Sequence, residues 1–95
     1  MTPEEQNSRA SSFYSFIEHL AKMGKIEAQI KAKEETLDAL ENAMDIYGSV
    51  GISFLLEHGA VRYNKLREEV LQLKLERNKL EKQVLLFELN SLKED

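Results

Sequence analysis

Apolar residues recur in alternating steps of three and four along two long stretches of this chain. Met23, Ile26, Ile30, Leu37, Leu40 and Met44 form the first series, with Lys33 in its one polar slot. Leu66, Val70, Leu73, Leu80, Val84 and Phe87 form the second, with Arg77 in the polar slot. Residues three and four apart share one face of a helix, so each series is the a/d seam of a coiled coil. Between seam positions Glu, Lys, Gln and Asn predominate, as on solvated helix faces. The spacing predicts helices over residues 3–44 and 60–93, the second about 50 Å long at about 1.5 Å per residue. Thr2-Pro3-Glu4-Glu5 suits the start of the first helix: a threonine cap, proline at the first helical position and Glu5 closing a capping box.

The segment between the seams is different in kind. Ile46-Tyr47-Gly48-Ser49-Val50-Gly51-Ile52-Ser53-Phe54-Leu55-Leu56 combines β-branched, aromatic and glycine residues, which are poor helix formers. It reads as a short β-hairpin, strands at 46–50 and 52–56 turning near Gly51. Gly59 suits a tight turn before the second helix. An isolated two-stranded hairpin is marginal in water and its open edges invite pairing, so such a head requires sister chains. The alternative is an apolar loop packed on a helical bundle.

Laying the seams antiparallel tests the arrangement. Pairing Met44 with Leu66 brings Leu40 to Val70, Leu37 to Leu73, Ile30 to Leu80, Ile26 to Val84 and Met23 to Phe87. It also sets Lys33 opposite Arg77, each snorkelling to a carboxylate such as Glu34, Glu76 or Glu81. Sliding by one heptad sets Lys33 against Val70 and Arg77 against Ile26, which costs several kcal/mol if the charges are buried unpaired. The first register is therefore expected, with a connection from about residue 45 to 65.

Composition narrows the function classes. At 95 residues the chain is one domain, read here as 1–95. A net charge of −4 argues against a nucleic-acid binder, which carries a basic stripe. The absence of cysteine excludes disulfides and thiolate metal sites. No apolar run approaches the ~18 residues of a membrane span, and the N-terminus lacks the basic start and apolar run of a signal peptide. A soluble cytoplasmic protein is the expectation, with no membrane partner. There is no glycine-rich phosphate loop, and two distant histidines, His19 and His58, make no metal site. No cofactor, metal or catalytic residue is expected.

Helix, short hairpin, helix, with the hairpin reading Tyr47-x-x-Val50-Gly51-x-x-Phe54-x-Leu56, resembles the β-class subunits of prefoldin. The resemblance runs from about Lys25 to the C-terminus; the chain is shorter than the pattern at both ends and has Glu57-His58-Gly59 where a Ser/Thr-rich link is common. It implies an α+β, predominantly α fold: an antiparallel two-helix coiled coil whose hairpin enters an inter-subunit β-barrel in a heterohexamer. It further implies an ATP-independent holdase that binds unfolded proteins such as actin and tubulin at coiled-coil tips and passes them to a cytosolic group II chaperonin.

Two sets of residues carry that expectation. Tyr47, Val50, Gly51, Ile52, Phe54 and Leu56 form the assembly site, Gly51 permitting a positive φ. Phe13, Phe16, Ile17 and Leu20 near one terminus, with Leu85, Leu86, Leu89 and Leu92 near the other, form the client-binding tips. Antiparallel pairing brings these clusters to one end, and most exceed what a two-stranded seam can bury. Surplus apolar surface on a solvated rod marks a binding patch; the competing reading is that they pack on one another or on a neighbour. Two other classes are set beside the chaperone. One is a homo-oligomeric helical-hairpin adapter or scaffold with one specific partner. The other is an all-helical mutase or lyase holding a dicarboxylate on Lys33 and Arg77, which two cations in an otherwise apolar seam are too few to build.

Overall fold

The computed structural model describes the backbone of residues 3–93 and side chains from Phe13 onward. Thr2, the expected cap, and the side chain of Glu5 lie outside that range. The chain folds as two antiparallel helices, α1 (Pro3–Ser49) and α2 (Ser53–Lys93), in a rod of 72 × 19 × 14 Å. The two expected seams are its interior. Ile30, Val70 and Val84 are buried, and the remaining seam residues are half-buried, including Lys33 and Arg77.

The β-hairpin expected at 46–56, and with it the strand contribution to a barrel, is absent: the described residues contain no strand. Residues 46–49 complete α1, Val50-Gly51-Ile52 form the bend, and α2 begins at Ser53. Gly51 has φ +74°. Its N–H donates to the Gly48 carbonyl at 3.2 Å, and the Ile52 N–H donates to the Tyr47 carbonyl at 3.0 Å. Those two bonds are a Schellman cap, a helix end in which a left-handed glycine turns the chain away. With Val50 N–H bonded to the Ile46 carbonyl, the amides of 50–52 are spent on the helix end and none is left for a ladder. Strand propensity lost because Tyr47 and Leu56 continue the heptad spacing of the seams and gain burial there.

The helices therefore extend farther towards each other than expected, and the register differs. Phe16, not Met23, stacks on Phe87, with ring centroids 4.5 Å apart and planes at 17°. Met44 lies over Gly59 rather than Leu66: a Cβ on Gly59 would sit 2.9 Å from Met44 Cγ. Gly59 is thus a buried position inside α2 that admits Met44, not a turn. The pairing is slid by one heptad, the register that sets Lys33 at the level of Val70 and Arg77 at that of Ile26.

The charge penalty that argued against this register does not arise. Lys33 Nζ donates to Glu69 at 2.9 Å with 33% of its side chain exposed. Arg77 donates to Glu27 at 3.1 Å with 27% exposed. Both cations snorkel as expected, but to other carboxylates; Glu34 instead pairs with Lys74 at 3.2 Å. All three pairs cross between the helices. Each contributes little as a solvent-exposed pair, yet a one-heptad slide would break them all.

Three measurements probe this arrangement. Gly24 is exposed in α1 with open space around it, so Gly24→Ala should stabilise the hairpin by about 1 kcal/mol. Gly59→Val should destabilise it by about 1–3 kcal/mol through overpacking against Met44; both are read by thermal or urea unfolding. The hydrogen bond from Lys33, then its charge, holds the Glu69 carboxyl below its ordinary value of 4.5. That contribution is present above the ordinary value and is lost as pH falls through the lowered one. Urea midpoints of wild type should therefore drop more steeply on acidification than those of Glu69→Gln.

Candidate functional site

The open end of the rod, where α1 starts and α2 finishes, carries the candidate surface. The stacked Phe16–Phe87 pair is a seam layer near that end. Beside it runs a shallow groove of about 530 Å³, whose apolar lining is Phe16, Val84, Leu86 and Phe87 and whose polar rim includes Ser15, His19, Gln83 and Asn90. His19 holds a seam-spaced position, and its Nδ1–H donates to the Ser15 carbonyl one turn earlier.

Of the eight residues expected at the tip, only Phe16 is half-buried; Phe13, Ile17, Leu20, Leu85, Leu86, Leu89 and Leu92 are exposed. Phe13 meets Tyr14 edge to face, centroids 6.3 Å apart at 62°. The structure does not gather the set into one pocket. Leu86 shares the groove with Phe16 and Phe87, whereas Leu85, Leu89 and Leu92 take no part in it. The surface is an exposed apolar collar around the Phe16–Phe87 layer, and covering it would gain about 25 cal/mol per Å².

At the bend end the six expected assembly residues separate by helix phase. Tyr47 and Leu56 are half-buried on the seam; Val50, Gly51, Ile52 and Phe54 are exposed. Phe54 stacks on His58 one turn along, centroids 6.4 Å apart at 12°. This end, too, presents apolar side chains to water, but from a helix cap and a first turn instead of a strand edge.

Lys33 and Arg77 point to carboxylates of the opposite helix in separate layers, so their charge is already matched and they do not converge on a dicarboxylate. Among the described residues no group of three or more histidine, aspartate or glutamate side chains could hold a metal ion, and no helix is long and apolar enough to cross a membrane. The polar rim of the open-end groove escaped sequence reasoning, apart from the seam spacing of His19, because rim membership depends on the register. No family model, curated protein or solved structure matches this chain.

Proposed function

We propose that this chain is a non-catalytic binding subunit, a helical hairpin that captures apolar segments of other polypeptides at its open end. The observation that carries this reading is the collar of exposed Phe13, Ile17, Leu20, Leu86 and Leu89 around the Phe16–Phe87 stack. A solvated rod gains nothing from those side chains unless another chain covers them.

Two forms of this function differ in the partner. The adapter or scaffold, with one defined partner, takes precedence. The prefoldin-type hexamer depends on residues 46–56 as strands, and here they form a helix end, a bend and a first turn. Losing that hairpin removes the principal support for the hexamer. The holdase remains the second reading, favoured by the spread of the collar over several faces, which suits capture without a sequence code. In that form the chain would act in the cytoplasm without ATP, beside sister subunits, and deliver clients such as actin or tubulin to a group II chaperonin.

Light scattering by chemically denatured proteins diluted into buffer distinguishes the two. Suppression of aggregation for several unrelated proteins would favour the holdase; no suppression, together with one stoichiometric partner in pull-downs from the native host, would favour the adapter. In either form Ile17→Ser with Leu86→Ser should weaken capture about tenfold or more while leaving helicity unchanged. Unchanged capture by that variant would remove the open end from the reading.

A further inference from the structure

The seam is not the only heptad pattern on α2. With Val70 as a and Leu73 as d, the b and f positions should be the most polar of a two-stranded coiled coil. On α2 five of these twelve positions are polar (Glu57, Asn64, Glu68, Asn78 and Lys82), and the other seven hold Phe54, Val61, Leu71, Leu75, Leu85, Leu89 and Leu92. All seven are exposed, from 47% at Leu89 to 74% at Phe54 and Leu92. The equivalent face of α1 beyond the open end holds Gly24, Ala28, Lys31, Glu35, Asp38 and Asn42. One helix therefore has a second, mostly apolar face nearly opposite its seam, while its neighbour is apolar on one. The chain exposes 7473 Å², against about 5,600 Å² for a compact protein of its mass. The difference exceeds the ~800 Å² per partner of a standard interface.

We infer that the outer face of α2 is a homodimer interface, in which two copies pair antiparallel about a two-fold axis near Leu73. The stripe is self-complementary in that register. Phe54 meets Leu92 of the second copy, Val61 meets Leu85, and Leu71 meets Leu75, each contact made twice by symmetry. Polar members fall together as well: Asn64 with Lys82, and Glu68 with Asn78. Glu68 then lies one turn from Lys82 of the second copy, and Arg67 on the flank approaches its Glu81. Glu57 against Leu89, at the ends, is the one mixed layer. Lys65 with Lys79, and Lys74 with its own copy, approach as like charges on the wet margins, where screening weakens repulsion, and Lys74 is already held by Glu34.

This inference shares Leu89 with the open-end reading but is tested at other residues. Leu71 and Leu75 lie outside that end, and Ile17 and Leu86 lie outside the stripe. In the dimer the second copy covers Leu85, Leu89 and Leu92, leaving Phe13, Ile17, Leu20 and Leu86 for other polypeptides.

Sedimentation equilibrium of the full chain should give about twice the 11.0 kDa chain mass, and Leu71→Glu with Leu75→Glu should halve it at unchanged helicity by circular dichroism. Because the chain has no cysteine, Val61→Cys and Leu85→Cys variants give a second test. Mixed and oxidised, they should form a disulfide between variants, whereas neither should cross-link to itself, since identical residues lie about 36 Å apart along antiparallel helices. A monomeric wild type, a dimer indifferent to the Leu71 and Leu75 substitutions, or self-cross-linking of Val61→Cys would each overturn the proposal.

Discussion

The hairpin turns on a bend of three residues, and the left-handed backbone at Gly51 is what allows it to be so short. A heptad seam is nearly indifferent to slides of seven residues, because each slide again meets apolar with apolar. Burial along the seam supplies most of the favourable energy but cannot by itself choose among registers. The short bend makes the choice. Once Ile52 N–H has capped the Tyr47 carbonyl, α2 must start opposite the end of α1, and Met44 arrives over the one position, Gly59, with no side chain to obstruct it. Lys33–Glu69, Lys74–Glu34 and Arg77–Glu27 then fall within reach across the helices. Their individual contributions are small, but all three agree with the bend.

A rod built this way has little interior. Among the described residues three apolar side chains are buried, and the rest of the seam is half-buried. Large apolar residues consequently remain in water at the open end, at the bend and along the back of α2. Different occupants suit different places: a collar spread over several faces accommodates flexible segments, whereas a straight stripe with strict periodicity accommodates a second helix. On the proposed reading recognition proceeds by burial, while three ion pairs match charge across the helices.

Heptad spacing made both helices and both seams legible, down to Lys33 and Arg77 as the polar interruptions that reach outward to carboxylates. Glycine at 51 was also legible as a positive-φ position. What failed was the segment around it. Ile46 to Leu56 has the composition of strands, but intrinsic β preference is weak beside packing, and Tyr47 and Leu56 happen to fall in phase with the seams. Helix and hairpin were both compatible with the same glycine, and the burial available at those two positions favoured helix. The open-end collar was readable as an excess of apolar residues over what a seam can bury; its division among faces was not, because that depends on which residues meet.

Periodicity and composition therefore determined, unaided, that this chain makes two amphipathic helices packed antiparallel, with charge kept to the margins and apolar residues left over at the ends. Those are local properties, set by which side of a helix each residue occupies. Register, the nature of the connection and the partners of each charge came only from the folded chain. They depend on how the backbone closes at Gly51 and on the space above Gly59, and a repeating seam holds no information about either.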